Sequence, residues 1–124
     1  MFKDSLAGLR VLVASDDHEI AVLFVTIVEV CGGQAERSAS ASTTIEALEH
    51  RPHVVLLDVA MAGGADLVAI EADQHKIPLV AFLFRHEDPV GMASRLRATR
   101  ARLLGSTDVF QVCGTLQRAV AEAA

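Results

Sequence analysis

Tyrosine and tryptophan are absent, and five Phe provide all the aromatic surface of the 124-residue chain. Base-stacking platforms and aromatic interaction anchors are therefore scarce, and packing must be aliphatic. Lys and Arg number 11 against 16 Asp and Glu, a formal net charge of −5 that disfavours the phosphate backbone of nucleic acid. No apolar run reaches the roughly 20 residues of a membrane span. No uninterrupted apolar segment with a small-residue cleavage site follows Met1-Phe2-Lys3-Asp4-Ser5. A cytoplasmic protein with no nucleic-acid and no membrane partner is the expectation. Two Cys occur, Cys31 and Cys113, without CxxC spacing, and both are expected as buried thiols in a reducing compartment. Gly-rich phosphate loops of the Walker or GxGxxG type are also missing, so a nucleotide would lack its usual cradle.

Hydrophobic residues, at 52%, suffice for one core, and the length fits a single domain over 1–124, with residues 1–8 read as an N-terminal tail. Short apolar runs at 10–14, 53–57 and 79–84 read as buried strands, 34–38 as a weaker one and 108–112 as the last. Between them fall helical patterns. Ile20, Leu23, Phe24, Ile27 and Cys31 share one face of a helix over 18–31 that Gly32-Gly33 stops. Thr43 with Glu46 fits a capping box opening a helix to about His50, and Asp66 can cap a helix to about Gln74. Met92, Leu96, Thr99 and Leu103 form a stripe on a helix ending at Leu104, flanked by Arg95, Arg97, Arg100 and Arg102. Thr115 can cap a short terminal helix. Strands alternating with helices imply an α/β fold, a doubly wound and mostly parallel sheet whose site lies outside the C-terminal strand ends.

That rule selects Ser15, Asp16 and Asp17 after the first strand and Asp58 after the third. Each acid taken alone reads first as a turn former or helix cap. Together they would repel one another unless a cation sat among them, and oxygen-only ligation suits Mg²⁺. A carboxylate beside such an ion can attack a phosphoryl group, and Asp58 is the natural nucleophile.

The segments Leu9-Arg10-Val11-Leu12-Val13-Ala14-Ser15-Asp16-Asp17-His18-Glu19-Ile20, His50-Arg51-Pro52-His53-Val54-Val55-Leu56-Leu57-Asp58-Val59-Ala60-Met61, Ile77-Pro78-Leu79-Val80 and Leu104-Gly105-Ser106-Thr107-Asp108 resemble the receiver domains of bacterial response regulators. The resemblance covers nearly the whole chain. It implies a flavodoxin-like doubly wound five-stranded parallel sheet of order 2-1-3-4-5, a signalling module rather than an enzyme. Asp58 would accept a phosphoryl group from a histidine kinase or phosphotransfer protein. Mg²⁺ would be held by Asp16, Asp17, Asp58 and the Ala60 backbone carbonyl.

Departures from the pattern are as informative. Ser15 falls on the first acidic position, Asp16 on the second and Asp17 on the third. The hydroxyl expected after the fourth strand aligns with Leu83 or Phe84, and the expected Lys with Val112, followed by Cys113 in place of Pro. Ala62 replaces another usual Pro, though Gly63 fits, and residues 83–105 are several longer than a receiver needs. Losing the Lys removes a charge-assisted contact worth about 1.5–3 kcal/mol, which Arg85 or His86 could restore from the following turn. The outward face of the helix 18–31 should hold Ala21, Val22, Val25, Thr26 and Glu29, with one charge among them. So apolar a face reads as an interface, a homodimer being one form of it. A phosphorylation-independent pseudo-receiver acting through such contacts is the alternative function, with a metal-dependent phosphohydrolase on the same fold behind it.

Overall fold

The computed structural model describes residues 5–61, 63–82, 101–104 and 108–123. The strands β1 (Arg10–Ala14), β2 (Gln34–Ser38), β3 (Val54–Asp58) and β4 (Leu79–Phe82) pair in parallel in the order β2-β1-β3-β4, as the alternating pattern requires. β3 is buried along its whole length because both its faces are covered: Leu57 and Val55 point to one side, Leu56 and Val54 to the other. The helices α1 (His18–Val30) and α4 (Val109–Ala123) cover the Leu56 side; α2 (Ala41–Ala47) and α3 (Ala65–Gln74) cover the Leu57 side.

The fifth strand is not where the apolar run at 108–112 placed it. Those residues open α4, with Asp108 accepting from the N–H groups of Phe110 and Gln111 in cap fashion. Instead β5 (Arg102–Leu104) lies against β4, in residues expected to end a helix. Arg102 pairs there with Glu122 of α4. Most of the expected helix over 92–104, with Arg95, Arg97 and Arg100, lies outside the described residues.

Four further expectations change. Ser40, not Thr43, caps α2, accepting from Thr43 N–H at 3.2 Å. Gly64 precedes α3 with no side-chain cap, so Asp66 sits inside the first turn. The tail is anchored from Ser5 onward: Leu6 is fully buried, its N–H donating to Cys31 O at 2.9 Å, and Gln117 Nε2 donates to Ser5 O. Cys31 and Cys113 are buried as expected but form a disulfide rather than two thiols. Reading 108–112 as helix explains the pairing, because it sets Cys113 on the inner side of α4, within the apolar cluster that also holds Cys31.

Candidate functional site

The two central strands end side by side, with Ala14 opposite Leu57 in the register of β1 and β3. The next residues are therefore neighbours: Ser15 is fully buried and Asp58 only 2% exposed. The Ser15 hydroxyl donates to Asp58 Oδ2 at 2.7 Å, and the Ala60 N–H donates to Oδ1 at 2.9 Å. Both carboxylate oxygens are thus oriented. Burial pushes the Asp58 carboxyl above its ordinary value. The two hydrogen bonds pull it back down, and the fields of Asp16 and Asp17 add to the rise.

Asp17 belongs to the helix. Its Oδ1 accepts from Glu19 N–H at 3.0 Å and Ile20 N–H at 3.2 Å as the N-cap of α1. Asp16 is exposed at the rim. Among the described residues no group of three or more His, Cys, Asp or Glu gathers as a metal site. Asp58 together with Asp16, whose field is felt at Asp58, fits a hard ion that keeps most of its waters and takes one or two protein carboxylates.

Phe82, opposite Asp58 across β3 and β4, is buried and its ring centroid lies 4.3 Å from that of Phe24. Leu83, Phe84, Arg85 and His86 lie outside the described residues. Val112 is a buried residue of α4, so the expected Lys position is not there; β5 ends at Leu104, which Gly105 follows in sequence. Either reading leaves the position without an ammonium group. Ser15 stands where the strand-end rule put it, now with a hydrogen-bonding role, whereas Arg37 was not singled out from the sequence. The Arg37 guanidinium reaches from β2 to the Ser15 carbonyl at 3.4 Å and lies 3.1 Å from His18 Nδ1. Its place near the C-terminal end of β2 was the available signal.

The outward face of α1 is turned slightly from expectation. Ala21 is fully buried in the core and leaves the proposed surface, while Leu23, expected inside, is 39% exposed. The buried stripe runs through Ala21, Phe24, Ile27 and Val28, because Phe24 fixes the rotation by packing on Phe82. Val22, Thr26 and Glu29 are exposed and Val25 is half-buried; Leu23 and Val30 extend the apolar surface.

No family model matches the sequence, and no curated protein matches it. Solved structures do. The chain superimposes on the signal receiver domain of a modulated diguanylate cyclase from Desulfovibrio desulfuricans G20 with a TM-score of 0.81 at 14% identity, over 93% of this chain and 95% of that one. The signal receiver domain of a putative Luxo repressor protein from Vibrio parahaemolyticus gives 0.77 at 17% identity, over 93% and 92%. The response regulator domain of Thermotoga maritima CheB gives 0.69 at 16% identity, over 93% and 95%. The chain therefore has the fold of response-regulator receiver domains. Among the described residues no helix is long and apolar enough to cross a membrane.

Proposed function

We propose that this chain is a receiver-type module of two-component signalling in which Asp58 accepts a phosphoryl group from a histidine kinase or phosphotransfer protein. The observation that carries the reading is the Asp58 carboxylate itself, oriented by two hydrogen bonds at the C-terminal end of a central parallel strand. One carboxylate oxygen attacks phosphorus, the new P–O bond forming as the donor's P–N bond breaks. The imidazole leaves with that electron pair and takes up a proton. The Ala60 N–H and Ser15 hydroxyl hold the carboxylate during attack. A divalent cation bound by Asp16, Asp58 and the Ala60 carbonyl would neutralise charge on the transferred oxygens. With no ammonium at either candidate position and Phe82 beside the acceptor, the acyl phosphate is expected to form slowly and to be sensed weakly.

The hydrogen bond that already occupies Oδ2 favours a second reading, a pseudo-receiver signalling by association through α1 and by self-association. Incubation with acetyl phosphate and Mg²⁺, followed by intact mass, decides between them. The first reading expects a phosphoryl adduct that Asp58→Ala abolishes. An unmodified wild-type chain, together with partner binding unchanged in Asp58→Asn, leaves the second.

A further inference from the structure

A serine hydroxyl carries one proton, so it can make one strong donation. From Ser15 Oγ the candidates are Asp58 Oδ2 at 2.7 Å and the Asp17 carbonyl at 3.4 Å. The shorter contact also goes to the charged acceptor, where a hydrogen bond is about twice as strong. The Asp17 N–H donates to Ser15 Oγ at 3.1 Å, which aims the hydroxyl proton away from Asp17. The serine is fully buried, and among the described residues every buried polar side-chain atom has a partner. Ser15 and Asp58 are therefore a closed pair whose geometry is complete without a cation.

Charge separates this pair from a carboxylate pair. An acid at position 15 would bring negative charge directly against Asp58, repelling it in the apo chain and ligating any divalent ion that entered. The hydroxyl orients the acceptor and adds no charge. We infer that Ser15 is a positioning residue that holds Asp58 by hydrogen bonding in the place of a cation ligand, and that it thereby leaves the domain with weak divalent-cation binding. The inference deepens the acceptor reading, on which its meaning for signalling rests.

The test is a Mg²⁺ titration of the whole chain with no phosphoryl donor present, followed through the Ala60 amide signal and through thermal melts. Ser15→Asp is expected to bind Mg²⁺ at least about tenfold more tightly than wild type, the order by which ligand charge tunes such sites. Its melting temperature should fall without Mg²⁺ and recover with it. Ser15→Ala should shift the Ala60 amide, because Asp58 loses its second anchor, while its Mg²⁺ dissociation constant stays within about threefold of wild type. If Ser15→Asp does not fold, wild type and Ser15→Ala still decide the matter. Tight binding by wild type, or its loss in Ser15→Ala, would make Ser15 a ligand and overturn the inference, as would equal affinities in wild type and Ser15→Asp. A chain that binds Mg²⁺ weakly yet is never phosphorylated loses the acceptor reading and keeps this one.

Discussion

At the scale of single residues, Asp58 is a group the fold strains to keep charged. Its unfolded value is 3.8 and burial raises the folded one, so the native state binds a proton more readily than the unfolded chain. The sign follows: the penalty is absent below pH 3.8, grows as pH rises through the window up to the folded value, and is fully present above it. Asp58→Asn keeps an acceptor for Ser15 and Ala60 without the charge. Its urea midpoint should exceed that of wild type at neutral pH and converge on it below pH 3.8, and a variant less stable than wild type at neutral pH contradicts this account. The position of Asp58 was legible in sequence, because an apolar run ending in an acid marks a strand end whatever surrounds it. The work of Ser15 was not. Spacing locates a residue on a strand, whereas a hydrogen bond depends on which neighbouring strand end it meets and on how deeply both are buried.

At the scale of elements, the same contrast separates caps from ligands. Asp17 looked like a metal ligand in sequence, since an acid next to a strand end reads either way, and only the helix geometry assigns its oxygen to Glu19 and Ile20. Asp17→Ala should cost about 1 kcal/mol of stability and Asp17→Ser should restore it, while Mg²⁺ affinity should fall only modestly in both through the lost field at Asp58; abolished Mg²⁺ binding would make Asp17 a ligand. The outward face of α1 carries its own expectation. If it mediates self-association, wild-type chain sediments with a concentration-dependent mass and Val22→Lys, at a residue 47% exposed, sediments as monomer; identical behaviour of the two removes α1 from consideration. Strands β1, β3 and β4 could be read because parallel central strands are apolar on both faces. β5 could not: Arg102–Leu104 is three residues long and its leucines fit a helical stripe equally well. Val109, Phe110 and Val112, so close together, satisfy a strand pattern and a helix pattern alike. The error at β5 carried the supposed Lys position to Val112 with it.

At the scale of the whole molecule, the Cys31–Cys113 bond joins the end of α1 to α4 across 82 positions of sequence. Both sulfurs sit in the apolar cluster on one side of the sheet, so the bond ties together the two helices that cover that side. Closing so long a loop removes conformational freedom from the unfolded chain, worth about 4–5 kcal/mol in the chain-entropy description. Set against the roughly 5–15 kcal/mol that holds a typical domain folded, that is a sizeable share resting on one redox bond. Urea unfolding with and without reductant measures it. Reduction should lower the midpoint and steepen the slope with urea, because the released chain exposes more surface when it unfolds. The doubly substituted Cys31→Ala, Cys113→Ala chain should show one curve under both conditions, near that of reduced wild type. Two titratable thiols in unreduced, denatured wild type would return both residues to the thiols expected from sequence. An intact disulfide with an unmoved midpoint would instead show that α1 and α4 already hold one another through Phe24, Val112 and Leu116, with the covalent tie adding nothing to their packing.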